Sequence, residues 1–293
     1  MIETRGINKT FVTKKAIVNL SFTINEGITG LVGENGAGKS TLLRLLADVY
    51  CPDSGEIFID DKKNSDASIK KDLFFLPDDP FCPNGGDIRE VFRFYSCFYD
   101  LDEDVYYSSI RSFGLPEVGR VSSFSKGMKR QTFLSLCFAM KARYLLLDEA
   151  FDGLDPLAME KVKTALVKKK NEEGCTIVIA SHNINALDGV ADSFLLLSRG
   201  HLGASGRQED LSANLKKYQA LLKEDITKDG LAMYGLRCIS IKKVGSITHF
   251  IVYENDEGVA KFEQAMKPVL LESIPIDANE ILSLSMEVAK EGN

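Results

Sequence analysis

Residues Gly33-Glu34-Asn35-Gly36-Ala37-Gly38-Lys39-Ser40-Thr41 read G-x-x-x-x-G-K-[ST], the glycine-rich spacing that cradles phosphate. Glycines let the backbone turn tightly and bring N–H groups against phosphate oxygens. A helix starting at Lys39 or Ser40 would aim its unpaired N–H groups and positive dipole end at the same anion. Lys39 has the reach for β- and γ-phosphates, and the Ser40 hydroxyl suits Mg²⁺. The competing reading is a glycine loop that only turns a strand into a helix. The flanks argue for the cradle: a strand-like run, Ile28–Val32, leads in, and a helix-like run, Leu42–Ala47, leads out.

Two more apolar runs end in chemistry-bearing residues. Tyr144-Leu145-Leu146-Leu147 ends at Asp148-Glu149, and Thr176–Ala180 ends at Ser181-His182. Continuous apolar runs fit parallel strands covered on both faces. Ligands of such sheets sit at the carboxyl ends of the strands, so all three endings would converge on one site. Asp148 would hold Mg²⁺ through water, and Glu149 would polarise an attacking water. Two solvated acids at a strand end would look the same in isolation; the phosphate loop decides between them. Upstream, Ser125-Lys126-Gly127-Met128 opens another helix-like run, a weak anion-site signal by itself. It lies 23 residues before Asp148.

The elements that must position these residues follow from the rest of the chain. Its 293 residues suffice for one large or two ordinary domains, with 44% hydrophobic and 27% charged residues. A net charge of −6 argues against a nucleic-acid or membrane-surface binder. No apolar run approaches the about 18–20 residues that span a bilayer, and the N-terminus has no signal-peptide pattern. Six cysteines without metal spacing predict mostly buried thiols in a reducing, cytoplasmic compartment. A long helical stretch is expected at about 87–141, with Val91, Phe94, Tyr95 and Phe98 on one face. Leu211, Leu215, Tyr218 and Leu222 predict an amphipathic helix, and charged residues 223–230 a linker. Beyond lies a small α+β unit, residues 231–293. It has strand-like Cys238–Val244 and Ile247–Tyr253 around a Gly245-Ser246 turn, then a helix through Val259, Phe262 and Met266. A second helix starts at Asp277-x-x-Glu280, with Ile281, Leu284 and Val288 as its buried face.

Across residues 1–222 the chain resembles the ATP-binding subunit of ABC transporters. Gly33–Thr41 is similar to Walker A and Leu147-Asp148-Glu149-Ala150 to Walker B. Gly153-Leu154-Asp155 resembles the D-loop, Ser181-His182 the switch histidine, and Phe11 the aromatic that stacks on adenine. Ser125-Lys126-Gly127-Met128 matches the L-S-G-G-Q signature in Ser and the second Gly only. His201 and His249 have no such context and read as surface or packing residues. The resemblance implies an α/β P-loop NTPase of ABC ATPase type, with a helical subdomain at about 87–141 and a small C-terminal unit. It implies ATP and Mg²⁺ as ligands. ATP would meet Phe11, Asn35, Gly36, Gly38, Lys39, Ser40 and Thr41, with Asp155 in the D-loop and Glu149, His182 and Lys39 as the catalytic set. Ser40 and Asp148 would face the metal.

The resemblance also implies partners. A head-to-tail homodimer or heterodimer would bring Ser125 and Gly127 of one copy over the other's nucleotide. Closure would drive a separate membrane permease through a groove beside the aromatic segment Phe92–Tyr99. The chain would then work on the inner face of the cell membrane. A soluble ABC-type ATPase of translation, DNA repair or regulation is the alternative. Two departures stand out. Asp78 takes the place of the Q-loop glutamine, where a carboxylate can still ligate Mg²⁺ but adds negative charge. The S-K-G-M signature resembles bacterial ATPases that pair with separate export-type permeases.

Overall fold

Strands β1 (Ile2–Phe11) and β2 (Lys14–Ile24) alternate buried and exposed residues, the pattern of a sheet with one face on the core. They belong to an antiparallel sheet of order β2-β1-β4-β5. By contrast, β3 (Gly27–Val32) is buried at every position and is followed by α1 (Lys39–Leu46). Next come β4 (Ser54–Ile59), the short β5 (Lys62–Lys63), α2 (Ala67–Asp72) and β6 (Leu73–Leu76). Three helices follow: α3 (Ile88–Ser96), α4 (Glu103–Phe113) and α5 (Lys126–Ala139). The chain re-enters the sheet at β7 (Tyr144–Asp148), crosses through α6 (Pro156–Glu173) to β8 (Thr176–Ser181), and continues into β9 (Ser193–Ser198) and β10 (His201–Gly206). The second sheet has order β10-β9-β3-β8-β7-β6 and is parallel from β9 to β6.

Helix α1 supplies the link between the sheets. Its Leu42, Leu43, Leu45 and Leu46 share one core with Ile2, Ile7 and Leu20 of the antiparallel sheet and Leu31, Leu146 and Val178 of the parallel one. Burying each such side chain favours folding by about 1.5–3 kcal/mol, so the helix that opens at the phosphate loop is held along most of its length.

The computed structural model describes residues 1–207, 215–276 and 280. Two units divide the chain, Met1–Ser205 and Gly206–Asn293. The second contains β11 (Leu215–Leu221), α7 (Lys228–Ala232), β12 (Cys238–Val244), β13 (Ile247–Tyr253), α8 (Asp256–Met266) and β14 (Leu270–Ile274). Its antiparallel order β12-β13-β11-β14 gives the βαββαβ topology of ferredoxin-like domains. Phe262 of α8 packs edge-on against Phe250 of β13, ring centroids 5.6 Å apart.

Five expectations change. Leu215, Tyr218 and Leu222 do not mark a helix; Leu215–Leu221 is the strand between β13 and β14. Its sequence fits both periods, and pairing on both edges decides for the strand. The boundary therefore falls between Ser205 and Gly206 rather than at residue 222. Residues 223–230 are no simple linker, because Thr227 caps α7 through its hydroxyl. In α3 the buried residues are Ile88, Val91 and Phe92, while Phe98 lies beyond the helix and is 65% exposed. Only Cys137 and Cys175 are buried; Cys51 and Cys97 are exposed. Leu211, Asp277, Ile281, Leu284 and Val288 lie outside the described residues.

Candidate active site

Parallel pairing sets the site. Val32 of β3 lies beside Ser181 of β8, and Asp148 of β7 lies beside Ala180. The residues that leave these strands, Gly33, Glu149 and His182, therefore emerge side by side.

The cradle depends on glycine where the backbone requires it. Gly36 and Gly38 have φ of 82° and 111°, conformations that side chains oppose. A Cβ on Gly33 would come within 2.2 Å of the Leu197 carbonyl oxygen. Helix α1 has no side-chain cap and no acidic residue in its first turn, so its N–H groups stay available to an anion. Lys39 folds back into this loop, donating to the Gly33 oxygen at 2.8 Å and the Glu34 oxygen at 3.3 Å.

At the foot of the loop, Ser40 Oγ donates to Asp148 Oδ1 at 3.2 Å. Asp148 is 1% exposed, and its Oδ2 is buried without a hydrogen-bond partner. Burial pushes the Asp148 carboxyl above the usual carboxylate range; Ser40 opposes this, while the charges of Glu149 and Asp78 add to it. An orphaned buried carboxylate oxygen beside a hydroxyl fits a hard cation with oxygen ligands. No cluster of three or more His, Cys, Asp or Glu that could hold a metal occurs among the described residues.

Glu149 has φ of 49°, a conformation a side chain adopts only when its surroundings impose it. Its N–H donates to the Ala180 oxygen at 3.0 Å. One carboxylate oxygen lies 3.6 Å from Lys39 Nζ and the other 3.0 Å from His182 Nδ1.

A cavity of about 260 Å³ is lined by Phe11, Asn35, Gly36, Gly38, Lys39, Ser40, Thr41 and Glu149, together with Lys14 and Ala16. Phe11 stands at its edge, 39% exposed and edge-on to Tyr50. Four expected site residues are engaged elsewhere. Ser125 caps α5 by accepting from the Met128 N–H at 3.2 Å. Gly127 packs so closely on Gly153 that a Cβ would lie 2.5 Å from its carbonyl oxygen. Asp155 caps α6, accepting from the Ala158 N–H at 2.9 Å. Asp78 pairs with Arg130 and lines a separate cavity of about 460 Å³. Lys14, the Lys126–Asp152 ion pair and the buried Arg130 were not foreseen as interacting groups. Of these only Lys126 stands inside a noticed motif, and nothing in its type foretells its partner.

Fold and site together define a P-loop ATPase, an ATP-binding and ATP-hydrolysing subunit of transport machinery that is similar to the cassettes of ABC transporters. Residues 17–152 match the family model described as ABC transporter. ABC transporter ATP-binding protein YtrB of Bacillus subtilis (strain 168) is 25% identical over 96% of this chain and 96% of its own. SkfA peptide export ATP-binding protein SkfE of the same organism is 28% identical over 69% of this chain and 87% of its own. A solved ATP-binding subunit of an ABC transporter superposes with a TM-score of 0.66 at 25% identity, covering 73% of this chain and 92% of its own.

Proposed function

We propose that this chain hydrolyses ATP·Mg²⁺ to power a separate membrane permease of export type, working as one half of a head-to-tail pair of ATPases. The observation that carries the reading is the orphaned Asp148 oxygen beside Ser40 at the foot of the phosphate loop. Ser40 and Asp148 would hold Mg²⁺, which would draw off charge developing on the phosphates. Phe11 stacks on the adenine, and Lys39 exchanges its carbonyl partners for phosphate oxygens. Glu149 takes the proton of the attacking water as that oxygen bonds to the γ-phosphorus and the bond to ADP breaks. His182 holds the Glu149 carboxylate through Nδ1.

Ser125 and Gly127 do not line the nucleotide cavity of their own chain. This supports a site completed by a second subunit, identical or related, whose Ser125 and Gly127 cover the γ-phosphate. Asp155, already fixed as the α6 cap, would lie along that contact. No helix among the described residues is long and apolar enough to cross a membrane, so the transport path would belong to a partner. Exposed Phe81 and Phe98, flanking the half-buried Phe94, supply an aromatic surface for it. The match to SkfE supports export as the direction.

The test joins two measurements. Mg²⁺-dependent ATPase activity of the purified chain should be present, and the chain should copurify from its native membranes with a polytopic membrane protein. Absence of nucleotide hydrolysis with and without that membrane fraction refutes the reading.

A further inference from the structure

The Arg130 guanidinium is 3% exposed and carries four hydrogen bonds. It comes from α5 and lies across the carboxyl ends of two neighbouring strands. Leu76 of β6 pairs with Leu147 of β7, and the ladder stops there. The next carbonyls on the two strands belong to Pro77 and Asp148, and Arg130 Nη1 donates to both at 3.3 Å. Nη2 donates to the Asp78 carbonyl at 2.9 Å and to the Asp78 carboxylate.

The Asp148 carbonyl is one end of the peptide bond that leads into Glu149. The other end is the Glu149 N–H, held by the Ala180 oxygen at 3.0 Å. That peptide plane is therefore gripped on both sides, by α5 and by β8. Turning it would change the φ of Glu149, which stands at 49°. A buried guanidinium also requires a counter-charge, and Asp78 is the only carboxylate paired with it among the described residues.

We propose that Arg130 is a positioning residue that holds the base Glu149 through the Asp148–Glu149 peptide, with Asp78 as its counter-ion rather than a metal ligand. This rests on the ATPase reading above. Asp78 and Arg130 then act as one unit. Removing either lets the Asp148 carbonyl drift, and Glu149 loses its aim at the water. Nucleotide and metal are held by other residues, so their affinities stay.

The experiment is a double-mutant cycle of Asp78→Asn and Arg130→Gln in the full chain. Three quantities are read: kcat and KM for ATP, the Mg²⁺ midpoint, and Tm of the nucleotide-free protein. Each single variant should lower kcat by about tenfold or more, as a misplaced catalytic group does. KM and the Mg²⁺ midpoint should stay within about twofold, and the double variant should be no worse than the worse single one. Nucleotide-free Tm should show the same non-additivity. A merely structural pair would lower Tm and leave kcat per folded molecule unchanged, which overturns the proposal. So does a Mg²⁺ midpoint shifted about tenfold in Asp78→Asn, the mark of a metal ligand, or additive losses. Should Arg130→Gln fail to fold, Asp78→Asn decides alone through its kcat and Mg²⁺ midpoint, and unchanged kcat overturns the proposal. A wild-type chain without ATPase activity would instead sink the reading beneath it.

Discussion

Replacing Asp148 with Asn should stabilise the nucleotide-free protein while disabling it. Asp148 is 1% exposed, its Oδ1 accepts from Ser40, and its Oδ2 has no partner. Leaving a buried polar group unsatisfied costs about 1–3 kcal/mol, and more when it is charged. Asn keeps the oxygen that Ser40 needs and puts an amide nitrogen in the unpartnered Oδ2 position, so that position stays unpaired but the extra cost of burying a charge is removed. The expected gain is about 1–3 kcal/mol, which at about 2–4 °C per kcal/mol for a domain of this size raises Tm by about 2–12 °C. The pH dependence has a definite sign. Burial raises the folded-state pKa of Asp148 above its unfolded value. The native protein thus binds this proton more tightly than the unfolded chain does. Stability from this group is gained as pH falls from neutral through the raised pKa and lost as pH rises through it. The Asp148→Asn variant should lack that component, and it should also lose the extra melting protection that Mg²⁺ with nucleotide gives the wild type. Thermal melting from about pH 4, near the unfolded carboxylate value, up to neutral pH, with and without Mg²⁺ and a non-hydrolysable ATP analogue, reads all of this. A nucleotide-free variant that melts at or below the wild-type temperature near neutral pH would refute the argument.

Glu149→Gln should still bind ATP, yet hydrolyse it about 10²–10⁴-fold more slowly, because the water loses its proton acceptor; wild-type turnover in single-turnover kinetics contradicts that role. Lys39→Ala removes a charge-assisted contact worth about 1.5–3 kcal/mol. Equilibrium binding of a fluorescent ATP analogue should weaken by about 10- to 150-fold. In Gly127→Ala the new Cβ meets backbone, the Gly153 carbonyl oxygen at 2.5 Å. Overpacking of this kind costs about 1–3 kcal/mol, so a denaturant midpoint equal to the wild type's would show that the contact yields.

The phosphate loop and the two strand endings were legible because their chemistry is local. The cradle needs Gly36 and Gly38 at positive φ, and only glycine accepts that freely. The convergence of Gly33, Glu149 and His182 followed from apolar runs that could only be covered parallel strands. Strand β11 was not legible. LKKYQAL places apolar residues at helical spacing, and the partners that make it a strand lie 26 to 57 residues further on. The boundary at Ser205 was hidden by the same ambiguity. Arg130 was invisible for another reason. Its type predicts a solvated head, and its burial depends on four acceptors contributed by residues from Pro77 to Asp148.

The left-handed turn at Glu149 also fixes where β7 has to stop. Successive side chains of a strand point to opposite faces of the sheet. Two adjacent acids could not serve one pocket had the strand run on through both. By leaving the ladder after Asp148, the chain lets that residue meet Ser40 while its successor reaches Lys39 and His182. The length of β7 is therefore a reading frame for charge. One residue inserted before Asp148 would turn both acids away together while Tyr144–Leu147 kept their register.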